Sequence, residues 1–413
     1  MGLDRKGRSW AALKEQLAEF KKLDYSWQEG RLPSFTYMYR EDVLKVQQEA
    51  YLMFMQENAL GTGKAFHSLQ RMLEDIYAAA FQLFHAPATA GASFTSGGTE
   101  SVFQAIKVAK KLARERGQPE PFNIVGPTSA HPAMDKAAQI LDLQVRRTGL
   151  GAGYRANAQA MAEACDSGTI LLWASAPGFP YAVFDPIEEI GRLALDRQVW
   201  LHVDACWGGF LSPFAAQLGY PIPPFDFRVP GVTSLSADLH KFGYGAKGAS
   251  LIVYRDRDIQ RLEKFSHTWV RGVYETPGFS GSRPGGAIAA AWAVMNYLGV
   301  DGYLEATRLT METTERMARG VDAIDGLSVG SPLGEANLFF FTADDPAVDI
   351  NAVAKEFGRH GWFVGGIREP LGIHQGVNPL HAPIVERYLD DLADSVRKVR
   401  GSGEKLEFDK GSY

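Results

Sequence analysis

Lys241 follows His240 in SLSADLHKFGYGAKGAS (234–250), where an apolar run ends and glycines begin. A lysine is rarely set at the mouth of a buried strand unless its amine is used, because an ammonium resists desolvation and a desolvated amine is a nucleophile. Upstream, the apolar start of LHVDACWGGF (201–210) ends on Asp204. A carboxylate at the carboxyl edge of a sheet stands where open α/β folds bind ligands, and it suits a protonated ring nitrogen or a metal. Taken alone, Asp204 is equally a helix N-cap. No His/Cys/Asp cluster with metal-ligand spacing accompanies it, so no metal is expected. SAHPAMDKAA (129–138) sets His131 behind the strand-like FNIVG, either as a satisfied polar residue or as a ring lying flat on another ring. TSGGTES (95–101) precedes a helix: its glycines admit an anion closely, the helix N-terminus offers N–H groups, and Ser96 and Thr99 add hydroxyls. By itself that stretch is also an ordinary cap.

In chain order, an anion loop, a histidine, a strand-end aspartate and a histidine–lysine pair meet the needs of pyridoxal 5'-phosphate. That cofactor takes a lysine for a Schiff base, an acid opposite its pyridinium nitrogen, a flat face over the ring and a cradle for its phosphate. Each motif is weak alone; the ordered set is specific. Lys241 is therefore expected to carry the cofactor.

The elements that must position these residues are legible in outline. EDVLKVQQEAYLMFMQENAL (41–60) and SLQRMLEDIYAAAFQLF (68–84) have helical spacing, with Leu69, Leu73, Ile76, Ala80 and Leu83 as one core-facing stripe. Met53, Phe54 and Met55 read as packing residues. From 122 onward, FNIVGP, LQVRRT, TILLWAS, VWLHVDA, GVTSLSA and SLIVY alternate with helical segments, and several are too apolar for a sheet wet on one face. The pattern predicts an α/β fold with a largely parallel sheet covered by helices on both faces. After GSRPGGAIAAAWAVMNYLG (281–299) a smaller C-terminal α/β unit follows, with strands expected at GLSVG, NLFFFT and GWFVGG and helices around 347–358 and 383–400. The expected division is an N-terminal segment 1–60, a large cofactor-binding domain 61–300 and a small domain 301–413. RDRDIQRLEK (255–264) reads as a solvated helix face, and the polar tail from 401 as loosely held.

On TSGGTES, HVDAC-GGF, GVTSLSAD-HK-GY--KG-S and GSRPGG, the chain resembles the sphingosine-1-phosphate lyase family of fold-type I pyridoxal-phosphate enzymes, which stands beside the group II amino-acid decarboxylases. The likeness runs from about residue 30 to 300 and more thinly to about 395. It implies that Lys241 binds the cofactor aldehyde, Asp204 pairs with the pyridine nitrogen and His131 stacks on the ring. It further implies that Gly98, Thr99 and His240 hold the cofactor phosphate, with Ser282 reaching in from a neighbouring subunit of a homodimer with shared active sites. Lys247 and Asn58 fall on the substrate side by the same likeness. So does Tyr37 of SFTYMYRED, a candidate proton carrier, with Tyr39 as the alternative.

One block departs from the family. Where its members read asparagine-proline-leucine-histidine-proline, with a histidine that grips the substrate phosphate, this chain reads NALGTGKAFHS (58–68). Asn58 and Leu60 remain, but Ala59 and Gly61 stand at the proline and histidine positions, and His67 lies a few residues on. A lost donor at a phosphate site typically costs roughly 1–3 kcal/mol, enough to alter substrate preference. The implied reaction is cleavage of the Cα–Cβ bond of a β-hydroxy amine, phosphorylated or not. The alternative is decarboxylation of an amino acid, which uses the same anchors. A non-catalytic binding module would be expected to lack Lys241 or Asp204, and neither is lacking.

Composition narrows the remaining classes. With 46% apolar and 22% charged residues and a net charge of −5, the 413-residue chain has an ordinary globular balance and no basic stretch for nucleic acid. Two cysteines cannot build a disulfide framework. The start, MGLDRKGRSW, lacks the apolar core of a signal peptide, and the membrane-anchoring segment of the family's eukaryotic members has no counterpart here. No run approaches the ~20 apolar residues that span a bilayer. A cytoplasmic protein with a small-molecule amine substrate is expected.

Overall fold

A computed structural model describes residue 2 and residues 5–406. Three helices come first, α1 (Trp10–Lys21), α2 (Glu41–Met53) and α3 (His67–Leu83). The chain then alternates through β1 (Gly91–Thr95), α4 (Gly98–Glu115), β2 (Asn123–Pro127), α5 (Ala133–Ile140), β3 (Gln144–Thr148) and α6 (Ala158–Ala164). It continues through β4 (Thr169–Ser175), α7 (Ile187–Arg197), β5 (Trp200–Asp204), α8 (Ser212–Gln217), β6 (Val232–Ala237) and β7 (Ser250–Tyr254). A short α9 (Arg257–Gln260), the hairpin β8 (Phe265–Trp269) and β9 (Gly272–Thr276), and the long α10 (Gly285–Asp322) lead onward. The C-terminal unit holds β10 (Leu327–Val329), β11 (Leu338–Ala343), α11 (Ile350–Arg359), β12 (Gly365–Arg368), β13 (Leu371–Gly376) and α12 (Val385–Ser402).

β1 to β7 form one sheet in the order β1-β7-β6-β5-β4-β2-β3. Six strands run the same way and β7 alone is reversed, antiparallel to both β1 and β6. β4 and β7 are buried at every position, as their continuous apolar sequences require of strands covered on both faces. One core, with Leu69, Ile76 and Ala80 of α3 and Ile190 of α7, covers one face; a second, with Ile106 of α4 and Met134 of α5, covers the other. The C-terminal sheet, β10-β11-β13-β12, is antiparallel throughout and packs on α11 and α12.

Several expectations are corrected here. α2 stops at Met53, and Met53 and Met55 are exposed rather than packed. The stretch 255–264 is no solvated helix face: Arg255 donates to the carbonyls of Val232, Phe227 and Val229, and Glu263 is buried against Ser93 and Tyr254. Only the end of GWFVGG joins a strand, and β1, β13, the β8–β9 hairpin and α1 carried too little period-2 or helical signal to be read in advance. The start of the tail is pinned, Glu404 to Lys355 and the Leu406 carbonyl to Asn351, while its remainder lies outside the described residues.

Candidate active site

The carboxyl ends of β1, β2, β4, β5 and β6 open on one cavity of about 510 Å³, within the range of small-molecule sites. β1 passes into Ser96–Thr99, and α4 begins at Gly98, so the unpaired N–H groups of an 18-residue helix lie beside the cavity. A Cβ on Gly98 would stand 2.6 Å from the Cys206 Sγ and 3.1 Å from Asp238 Oδ1, so no side chain fits there. Hydroxyls tie the loop downward: Thr95 Oγ1 to Ser101 Oγ at 2.6 Å, Ser101 to Ser250 at 2.9 Å, and Ser250 to the Ala237 carbonyl. Glu100, buried at the first turn of α4, accepts from the Ser96 N–H at 2.8 Å and the Ser96 hydroxyl at 2.6 Å through Oε2. Its Oε1 accepts from the Phe279 N–H at 2.9 Å.

His131 sits in the turn between β2 and α5, where its Nδ1 accepts from the Ala133 N–H at 3.1 Å. The neutral ring therefore carries its proton on Nε2, and burial lowers its pKa, keeping it neutral. Asp204 ends β5; its Oδ1 accepts from the Cys206 N–H at 3.0 Å and the Ser236 hydroxyl at 3.3 Å. Ser236 is braced in turn by His202, whose pKa burial pushes down to about 4. Burial holds the Cys206 thiol far above its ordinary pKa, so it lines the cavity as an S–H and not as a nucleophile.

Beyond β6 the chain turns back as the loop that leads into β7. His240 donates its N–H to the Ala249 carbonyl at 3.0 Å, the Ala249 N–H meets His240 Nδ1 at 3.3 Å, and Gly245 donates to the Leu239 carbonyl. Within this return loop Lys241 Nζ stands 3.0 Å from Asp238 Oδ2, and His240 Nε2 lies 3.5 Å from the same oxygen. Burial alone would lower the Lys241 pKa, but the Asp238 charge, with Tyr37, Cys206 and the hydrogen bond to Asp238 added, outweighs it and the ammonium is held well above its ordinary value. Burial would likewise raise Asp238, yet Lys241 and then His240 keep it well below the usual carboxylate range. Asp238 Oδ1 is buried with no hydrogen-bond partner, an open acceptor beneath the anion loop.

Tyr37 arrives from the other direction. Residues 31–36 are strapped to the C-terminal unit: Phe363 donates to the Arg31 carbonyl at 3.0 Å, and the Arg31 guanidinium lies 4.3 Å over the Trp362 ring. Asn378 donates to the Thr36 carbonyl at 3.4 Å. His381 Nδ1 accepts from the Asn378 N–H, so the proton is on Nε2, which donates to the Leu32 carbonyl at 3.1 Å. The strap sets the Tyr37 ring edge-on against Trp207 and Phe242. Lys247 Nζ sits 4.7 Å over that ring. Although Lys247 is exposed, burial of the ammonium and then the Lys241 charge lower its pKa to about 8.

Gly98, Thr99, His131, Asp204, His240, Lys241, Tyr37 and Lys247 thus line one cavity. Tyr39 does not; it is buried against Tyr244. Asn58 and Ser282 also stand outside the lining and bind each other at 2.8 Å. The altered block folds as a tight turn in which the N–H groups of Lys64, Ala65 and Phe66 converge on the Gly61 carbonyl. A Cβ at Gly61 would meet the Phe66 ring at 2.9 Å, and His67 opens α3, exposed. Sequence reasoning missed Asp238 and Glu100, although each lies inside a motif it singled out.

The arrangement fits pyridoxal phosphate. The glycine cradle and helix N-terminus would take the phosphate, Asp204 the ring nitrogen, His131 a ring face and Lys241 the aldehyde. Among the described residues no group of three or more His, Cys, Asp or Glu could hold a metal ion.

Comparisons agree with that fit. The family model described as pyridoxal-dependent decarboxylase conserved domain matches residues 67–329. The sphingosine-1-phosphate lyase of Oryza sativa subsp. japonica is 38% identical over 396 residues, covering 94% of this chain and 72% of that one. That of Dictyostelium discoideum is 35% identical over 412 residues, covering 98% and 76%. The solved sphingosine-1-phosphate lyase of Burkholderia pseudomallei K96243 superposes with a TM-score of 0.91 at 37% identity, covering 97% of this chain and 94% of that one.

Proposed function

The chain belongs to the sphingosine-1-phosphate lyase family of pyridoxal-dependent enzymes, and on that premise we propose that it cleaves the Cα–Cβ bond of a sphingosine-1-phosphate-like β-hydroxy amine. The products are an aldehyde and an amine such as phosphoethanolamine. The observation that carries the reading is the convergence of the α4 anion loop, His131, Asp204 and Lys241 on a single cavity.

When bound, pyridoxal phosphate supplies an aldehyde that condenses with amines and a protonated ring that takes up the electron pair freed at the amine-bearing carbon. Asp204, fixed by Cys206 and Ser236, would hold the proton at the ring nitrogen. His131 would pack on the ring as a neutral imidazole, so it would add no second cation to compete with that proton. Gly98, Thr99 and His240 would hold the phosphate. Lys241 Nζ, once unprotonated, would be the amine that holds the cofactor aldehyde, and as a free amine it would be a carrier of protons. The Tyr37 hydroxyl and Lys241 Nζ are the groups in position to take the proton of the substrate β-hydroxyl. Lys247, a cation at the cavity mouth, faces the substrate phosphate.

Ser282 and Asn58 act, in this reading, from a second copy in a homodimer. Exposed apolar surface supports that assembly: α1 buries none of its residues, and Leu52, Met53, Met55, Trp269, Val270 and Phe279 are all exposed. The proposed organisation is an N-terminal segment 1–60, a cofactor domain 61–300 and a small domain 301–413; α10 crosses the last boundary and breaks at Gly299, whose φ is 56°. A cytoplasmic location accords with two free cysteines. No helix among the described residues is long and apolar enough to cross a membrane.

Purified protein given pyridoxal phosphate should turn yellow, and borohydride should remove the yellow band while fixing the cofactor irreversibly to Lys241. With phosphorylated β-hydroxy amines it should release an aldehyde. A colourless protein overturns the cofactor assignment, and carbon dioxide from amino acids as the sole activity moves the enzyme to the decarboxylase reading.

A further inference from the structure

One carboxylate joins two motifs that lie far apart in the chain. Glu100 Oε2 takes both the N–H and the hydroxyl of Ser96, so that N–H is spoken for and the phosphate is left to Gly97, Gly98 and Thr99. Glu100 Oε1 takes the Phe279 N–H, just before the stretch GSRPGG that carries Ser282. Phe103, one turn along α4, packs edge-on to Phe279 at 5.4 Å between ring centres and backs the same junction. A Cβ on Gly278 would come within 2.9 Å of Glu100 Oε1, so the segment approaches as closely as a glycine permits. Beyond it Asn58 holds Ser282 through its amide and the Arg283 N–H through its carbonyl oxygen. The path from the anion loop to Ser282 is therefore a chain of direct contacts with no gap.

We propose that Glu100 is a positioning residue that couples the anion loop of one active site to the segment presenting Ser282, so that cofactor binding in one site orders the residue given to the other. The coupling rests on the dimeric reading above for its destination, but not for its first link, which lies inside one chain. A bound phosphate stiffens Ser96–Thr99, the stiffened loop fixes both Glu100 oxygens, and the 278–284 segment loses the freedom to leave Oε1. No covalent step is involved.

Hydrogen–deuterium exchange on the full-length protein, with and without pyridoxal phosphate, tests this. In the wild type the cofactor should slow exchange in peptides spanning both 96–101 and 278–284. Glu100→Ala should keep the first protection, lose the second and raise the cofactor dissociation constant roughly tenfold. Glu100→Gln retains one accepting oxygen and should fall between. Gly278→Ala, which presses on Oε1 but leaves Oε2 on Ser96, should lose protection at 278–284 with a smaller loss of cofactor affinity than Glu100→Ala, and it guards against a Glu100 variant that simply misfolds. Protection confined to 96–101 in the wild type, or retained at 278–284 in both Glu100→Ala and Gly278→Ala, overturns the coupling. Absence of protection everywhere, with no yellow colour, overturns the cofactor reading with it. Coupled protection in a protein that sediments as a monomer upholds the clamp and removes the dimer.

Discussion

At the sheet edge, Asp204 and Lys241 are held by neighbours within a few residues or one strand away: Cys206 and Ser236 for the first, Asp238 for the second. Tyr37 shares their cavity but owes its place to Asn378 and His381, which bind the strap from more than 340 residues along the chain. The first arrangement is local and built on central strands; the second is remote and depends on two units staying packed. The contrast separates two tasks. In the proposed function, cofactor chemistry is fixed by the sheet, and presentation of the substrate is delegated to segments that the C-terminal unit and, in the proposed dimer, a second copy hold in place.

Substitutions can break that division, and the largest effect belongs at the sheet edge. Lys241→Ala should abolish the yellow band and lower turnover by at least about a thousandfold, since the covalent attachment and a proton carrier go together. Asp204→Asn should leave the cofactor bound through its phosphate yet cost roughly 10²–10³ in turnover, because the ring proton is no longer held against a charge. Absorbance titration and steady-state rates separate the two losses. On the strap, Tyr37→Phe should reduce turnover about a hundredfold with cofactor affinity unmoved. A comparable fall in cofactor affinity would erase the distinction between the regions.

Smaller effects sharpen the comparison. His381→Asn removes the Nε2 contact to Leu32 and should raise the substrate KM about fivefold while the absorbance spectrum stays that of the wild type. Lys247 provides a pH signature. Its cation is present below a pKa of about 8, so affinity for an anionic substrate is fullest there and fades as pH rises through it. Loading the cofactor removes the Lys241 charge, one of the two causes of the lowering, and the limb should then move up, between about 8 and the ordinary 10.5. The KM of a phosphorylated substrate should rise roughly threefold across that window, and Lys247→Met should flatten the profile.

The same contrast governs what could be read in advance. The six strands read from FNIVGP to SLIVY form where their apolar, β-branched runs place them, and the motifs at their ends converge because parallel strands deliver their carboxyl termini to one edge. Lys241, Asp204, His131 and Gly98 were legible because each carries a type-and-spacing signal inside one short stretch. Tyr37 came only through family resemblance: the strap 31–36 has no periodicity, and its partners are scattered over the last 55 residues. Glu263 and Arg255 were misread because charged residues near the end of a buried strand look like surface until their partners, Ser93, Tyr254 and a set of backbone carbonyls, are folded against them. β1, with two small residues and a glycine in five, offers no alternation to detect.

The reversal of β7 has a consequence for how such a catalyst can be retuned. Because the strand returns alongside β6, residues 238–249 form a bight whose two ends are stitched into the middle of the sheet. Lys241, the reactive amine of the proposed function, is a fixed post, unable to shift toward a longer or bulkier molecule without dragging the central strands along. New selectivity, whether reached by natural drift or by redesign, has to be written in the outlying stretches around Tyr37 and 58–64, while the post stays where it is.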